Sequence, residues 1–269
     1  MQPSFVHLHL HSEFSLIDST IRLSEVVKRC AKMGMPALAL TDQSNMFGQV
    51  KFYRAAEKSG VKPIVGADVW VQEAGEKPTR ITLLCQNLVG YRNLSKLVSQ
   101  AYLEGHQGDY VSVPYSLVRE LGQGLIVLAG RESDFGQAIM EHRDEDAADS
   151  LSKWLTDFPN RFYLEITRTQ REGELKFENA ALPMAFAMRC PVVASNDVRF
   201  LEKEDFEAHE ARVCISTGRV LGDPKRPRDY SPEQYLKSPE EMMALFSDLP
   251  GALENTLEIA KRCNLTLTF

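Results

Sequence analysis

Short apolar runs alternate with longer amphipathic stretches along most of this chain. Seven runs read as strands, over 5–10, 37–40, 63–71, 80–85, 125–128, 161–166 and 191–195. Between the first two, Val27, Cys30 and Met33 recur on one face of a helix over 24–33, and Gly34 stands where such a helix stops. The same periodicity predicts helices over 50–59 (ending at Gly60), 91–103, 147–157 and 174–188, and beyond the last strand over 239–246 and 250–263. Strand–helix alternation predicts an α/β architecture with a parallel sheet. Runs such as Leu-Ile-Val-Leu at 125–128 suit a sheet buried on both faces.

The alternation breaks at a proline-rich basic loop over 222–230, Gly-Asp-Pro-Lys-Arg-Pro-Arg-Asp-Tyr. We read one domain over 1–269, with an α/β body to about residue 220 and a helical segment over 221–269. The ending, Leu-Thr-Leu-Thr-Phe269, is apolar and β-prone, as expected of a piece of something longer.

With 269 residues, 43% hydrophobic and 25% charged, the chain can bury a sizeable core. A disordered tail, a collagen-like fibre and a small disulfide scaffold are excluded. Five scattered cysteines without a CxxC spacing read as buried reduced thiols. The net charge of −6 argues against a whole-surface electrostatic grip on nucleic acid. No run reaches the ~18–20 apolar residues of a membrane span, and the first residues do not read as a leader. A cytoplasmic location with no membrane contact is expected.

The chemistry concentrates at the start. His7, His9 and His11 alternate with Val6, Leu8 and Leu10, so on a strand the imidazoles share one face. Imidazole is a natural ligand for zinc, iron or manganese, and neighbours two apart can share an ion. His106, His142 and His209 are isolated and read as ordinary; for His209 an ion pair with Asp205 suffices. Ligands of a parallel α/β fold gather at the C-terminal strand ends. Polar residues there are His9, His11 and Asp18, then Asp42 and Gln43, Asp68, Arg80, Arg131, and finally Asp197 and Arg199.

The segment His-Leu-His-Ser-Glu-Phe-Ser-Leu-Ile-Asp at 9–18 resembles the first motif of the PHP (polymerase and histidinol phosphatase) domains. Ala-Leu-Thr-Asp-Gln-Ser-Asn-Met-Phe-Gly at 39–48 resembles the second, in the form found in bacterial replicative polymerases. Segments 50–53, 60–68, 90–94, 195–200, 207–210 and 223–235 continue the match over essentially the whole chain. The resemblance implies a distorted seven-stranded (β/α)7 barrel, over about 1–220, followed by the helical segment. Active members hold up to three metal ions at the strand ends and hydrolyse phosphoesters with a metal-activated water.

Carried over residue by residue, the ligand positions kept are His9, His11, Asp18, Asp68 (a shorter acid for glutamate) and Asp197. The positions that depart from the pattern are Gln43, Arg80, Arg131 and Arg199. Arginine keeps its proton and cannot ligate a cation. The expectation is therefore a vestigial site in which Arg80, Arg131 and Arg199 pair with Asp18, Asp68 and Asp197. No catalytic residue and no cofactor are expected in this domain, or at most one residual divalent ion such as zinc or manganese; magnesium belongs to the parent polymerase.

The resemblance implies a non-catalytic scaffold that supports the polymerase core, the remainder of the alpha chain, and docks the proofreading exonuclease (epsilon) subunit. DNA is then met through the parent protein, which synthesises DNA on a template. The alternative is an active metal-dependent phosphoesterase, a 3′–5′ exonuclease or a small-molecule phosphatase. The run Lys225-Arg-Pro-Arg228 reads as a solvated basic loop ahead of a phosphate-backbone contact. A GxSxG elbow, a P-loop and a GxGxxG turn do not occur.

Overall fold

In the computed structural model, residues 5–73, 76–107 and 110–268 are described, without the side chains of His106 and Gln107. The ordinary reading of His106 therefore lies outside the described residues. In chain order the elements are α1 (Leu23–Lys32), β1 (Ala37–Leu40), α2 (Gln49–Lys58), β2 (Lys62–Val71), β3 (Thr79–Cys85), α3 (Leu88–Glu104), β4 (His106–Gln107) and β5 (Tyr110–Val113). They continue as α4 (Tyr115–Glu120), β6 (Leu125–Ala129), α5 (Asp134–Met140), α6 (Asp144–Asp157), β7 (Phe162–Thr167), α7 (Glu174–Ala187), β8 (Val192–Ser195), α8 (Phe206–Thr217), α9 (Pro239–Leu245) and α10 (Pro250–Arg262). Gly34 and Gly60 follow α1 and α2 with φ of +71° and +72°, the left-handed conformation that ends a helix most cheaply on glycine.

The strands form one curled sheet in the order β4-β5-β2-β3-β6-β7-β8, with β1 also paired to β2. Its orientation is mixed. β1–β2, β6–β7 and β7–β8 are parallel, but β3 runs antiparallel to both β2 and β6. A hairpin-like connection of a few residues joins β2 to β3, too short for the crossover a parallel pair needs. The parallel sheet expected from alternation is corrected in β3 and in the short β4, which runs antiparallel to β5; the reversal of β3 has a useful result. The start of β3, carrying Arg80, lies at the same end of the sheet as the C-terminal ends of β2 and β6.

Residues 5–10, expected as the first strand, form no named strand and, among the described residues, make one isolated bridge, Leu10 to Val198. They are bonded on both sides. Ala39 N donates to His7 O and Thr41 N to Leu10 O, at 2.9 Å each. On the other side His11 N donates to Val198 O and Val198 N to His9 O, at 3.0 and 3.1 Å. This segment thus joins β1 to the chain just past β8 and draws the sheet edges together. With the β4–β5 hairpin set aside, the ring positions are the seven expected runs.

Apolar residues cover the sheet. Trp154 stacks on Phe162 at 5.7 Å and meets Phe158 at 5.6 Å, joining α6 to β7. Val6 and Leu8 pack with Ile126, Leu128, Ile259 and Cys263, so α10 closes the end of the core that starts at the N-terminal segment. All five cysteines are buried and unpaired, as composition suggested. Among the described residues no helix is long and apolar enough to cross a membrane.

Candidate functional site

Alternation along 5–11 fixes which side chains reach the ring interior. Leu8 and Leu10 enter apolar clusters, while His9 and His11 face a set of buried carboxylates. His7 shares their side of the segment but leaves the cluster. Its Nε2–H donates to Lys237 O at 2.8 Å, and burial pushes its pKa down to about 4. It is a neutral structural histidine.

Asp68, in the middle of β2, is the hub. Its Oδ2 lies 2.9 Å from both His9 Nε2 and His11 Nε2, and its Oδ1 accepts from Thr82 Oγ1 at 2.6 Å. The other imidazole nitrogens also face carboxylates, His9 Nδ1 on Glu165 and His11 Nδ1 on Asp18, at 2.9 Å each. Asp197 lies 3.2 Å from His9 Nε2 and has φ of +46°, an uncommon conformation that aspartate tolerates better than most residues. Single donor atoms of His9, His11 and Asp68 lie within 4.8 Å of one another, close enough to share an ion.

Guanidinium groups fill the rest of the cluster. Arg199 is fully buried. Its Nη1 is 2.8 Å from Asp18 and lies against His11 Nδ1, while its Nη2 binds Asp197. Arg80 reaches Asp68 at 3.6 Å, Asp197 at 3.9 Å and Glu132 at 2.5 Å. Arg171, which sequence reasoning missed, binds Asp197 at 2.9 Å and Glu174 at 3.1 Å. Gln234 Nε2 adds a donor to Asp197 Oδ2 at 3.1 Å. Gln43 sits at the rim, where its Oε1 accepts from Arg80 Nη1 at 3.4 Å.

Burial and charge pull these groups in opposite directions. Burial alone would raise Asp68 and Asp197. His9 and Arg80 around the first, and His9 and Arg171 around the second, outweigh it and hold both below the ordinary carboxylate range. Burial opposes a charge on His9, but Asp68, Glu165 and Asp197 win, and its pKa stands well above the usual value. Asp18 and Asp42 are pushed up to about 6 by burial.

The structure brings together His9, His11, Asp18, Asp68, Asp197, Arg80 and Arg199, with Gln43 at the edge. Arg131 departs from the expected pairing. Its Nη1 donates to Glu172 O at 2.9 Å and its Nη2 lies 3.7 Å from Glu132, with a quarter of the side chain exposed. Arg171, from the loop after β7, takes the place that reasoning gave it. His209 also departs, donating through Nε2 to Asp18 O at 2.9 Å from a buried position under the site instead of pairing with Asp205. The lone acid in Phe-Tyr-Leu-Glu-Ile-Thr was a legible signal for Glu165; Arg171 and Glu132 carried none.

The PHP domain family model matches residues 7–169. DNA polymerase III subunit alpha of Pseudomonas aeruginosa is 50% identical over 268 residues, which is 98% of this chain and 23% of that protein. The subunits of Vibrio cholerae and Escherichia coli are 47% and 46% identical, again over 23% of their length. The chain thus spans about a quarter of the curated relatives it matches. Two solved structures share the fold at low identity. One, from Bifidobacterium adolescentis, is described as a metal-dependent phosphoesterase (TM-score 0.51, 12% identity, 89% of this chain and 95% of that one). The other is an amidohydrolase from Chromobacterium violaceum with bound sulfate and no metal (TM-score 0.52, 14% identity, 77% and 96%). With the family model covering more than half of its residues, the chain belongs to the PHP domain family.

Proposed function

We propose that this chain is the non-catalytic PHP scaffold domain of a replicative DNA polymerase alpha subunit, with a degenerate metal site. In this reading it supports the polymerase core and docks the proofreading exonuclease (epsilon) subunit. DNA synthesis, and the magnesium it uses, belong to the rest of the polymerase chain. Residues 1–269 then act as one unit in the cytoplasm, and the packing of α10 onto Val6 and Leu8 supports treating them so.

The observation that carries the proposal is the position of three guanidinium groups among the candidate ligands. The family's multi-metal arrangement does not fit these residues. Arg199 fills the space between Asp18, Asp197 and His11, and Arg80 and Arg171 cover the open sides of Asp68 and Asp197. Fixed positive charge at those positions repels divalent ions and satisfies the carboxylates directly. We derive no hydrolytic step.

One observation favours a second reading. His9, His11 and Asp68 could still hold one zinc or manganese ion, with Glu165 and Asp18 orienting the two imidazoles from behind. An assay of phosphoester hydrolysis with manganese separates the two, using 3′-labelled DNA and a small aryl phosphate. The scaffold reading predicts no turnover above buffer. Manganese-dependent release abolished by His9→Ala would reverse it.

A further inference from the structure

Helix α7 is apolar on its outer side as well as its inner one. Phe177, Ala181 and Ala185 enter the core. The exposed positions are Leu175, Asn179, Ala180, Pro183, Phe186 and Ala187, with Lys176 at the margin. Leu175, Asn179, Pro183 and Phe186 follow one another at steps of three or four residues, so one helix stripe carries them. Leu175 is 70% exposed and Phe186 89%, the most of any large apolar side chain among the described residues. Other outer helices present charge instead: Glu145, Asp149 and Lys153 on α6, Glu254, Glu258 and Lys261 on α10.

No charge stands on the α7 stripe. Lys176 leans toward the end of α5, where its Nζ donates to Met140 O at 2.9 Å and lies 3.1 Å from His142 Nε2. The acids of α7 are taken up on the inner side, Glu174 by Thr169 and Arg171, Glu178 by Arg168. Glu172 and Arg189 are exposed beyond the two ends of the helix, where each complements the helix dipole. Pro183 has no N–H to donate to Asn179 O, so the amide and carbonyl of Asn179 form one polar spot at mid-stripe.

A helix that is apolar all round belongs inside a larger body. Two features select that body. A stripe without charge gives no electrostatic steering toward a separate partner. A single helix face about 21 Å long also falls well short of the roughly 800 Å² that each partner of a stable complex buries. Covalent attachment relaxes that requirement, because a tethered surface meets the stripe at high effective concentration. The relatives carry such a tethered body, since this chain spans 23% of their length.

We propose that the α7 stripe packs against an uncharged surface of the polymerase chain outside residues 1–269, with Leu175 and Phe186 as anchors; this rests on the supporting role proposed above. The test is maleimide labelling of Asn179→Cys in the purified full-length polymerase subunit, read peptide by peptide against Ser152→Cys on the exposed side of α6. The five native cysteines of this domain are buried and report its folding. Labelling at 179 should be about tenfold slower than at 152 or more. Adding Leu175→Ser and Phe186→Ser should restore it while the native cysteines stay unlabelled. If that pair exposes them, cross-linking mass spectrometry of the unaltered subunit decides: links from Lys176 to the chain outside residues 1–269 support the proposal, and their absence overturns it. Equal labelling rates, with cross-links elsewhere between this domain and the rest, overturn this face and leave the supporting role intact. Equal rates without any such cross-link overturn the supporting role itself. Protection that is lost on dilution assigns the stripe to a second copy and also overturns the proposal.

Discussion

The inner and outer halves of the charged cleft use the same residue types and differ in what holds them. Inside, Arg199 is fully buried between Asp18 and Asp197, themselves almost without exposure. At the rim, Arg131 is partly exposed and rests on Glu132 and a backbone carbonyl. Removal of an inner cation leaves two carboxylates in a poor dielectric. Removal of the outer one lets water replace it. Under the scaffold reading proposed above, the inner half takes the electrostatic role that metal ions would otherwise fill, and the outer half should tolerate substitution.

The largest effect should follow from breaking the inner half. Arg199→Met should cost about 3–5 kcal/mol, because Asp18 and Asp197 lose their buried partner. That is roughly a 10 °C fall in Tm for a chain of this size, measured by calorimetry. An unchanged Tm would remove the distinction between the halves. Arg80→Gln is intermediate, at about 1.5–3 kcal/mol, since its links to Asp68 and Asp197 are longer and Glu132 lies near the surface. Arg131→Gln should stay within about 1 kcal/mol. Double-mutant cycles sharpen the contrast: Arg199 with Asp197 should couple strongly, and Arg131 with Glu132 should be close to additive.

A pH slope tests His7, which lies outside the charged cluster. Burial lowers His7 to about 4 in the folded state, against 6.5 when unfolded. The unfolded chain binds the proton first, so the His7 contribution is complete above about pH 6.5 and is lost as pH falls toward 4. Asp18 and Asp42, raised to about 6 by burial, act the other way over pH 4–6. The difference in stability between wild type and His7→Gln across that range isolates the histidine. The gap should narrow as pH falls, and a constant gap would contradict the assignment.

The fold was largely legible because period-two and period-3.6 patterns are local. Strand positions from 37–40 to 191–195 and the helix stops at Gly34 and Gly60 follow from them. The reversal of β3 was not legible, since orientation depends on how a short connection folds back. Helices α4 and α5 also escaped, because they span only six and seven residues. The site was read through residues that follow strands. Such positions point to Asp68, Asp197, Arg80 and Arg199, whereas Arg171 stands four residues past the end of β7 and reaches back to Asp197. Arg131 was assigned by adjacency to β6, where its backbone lies at the mouth but its side chain turns toward Glu172.

The most direct test is the metal content of the protein purified without chelator and then supplied with zinc or manganese, read by mass spectrometry. Guanidinium groups standing in for metal charge predict bound metal far below stoichiometric and a Tm unmoved by either ion. A full equivalent, held through dialysis and lost in His9→Ala, would contradict that account and restore the cleft as a metal centre.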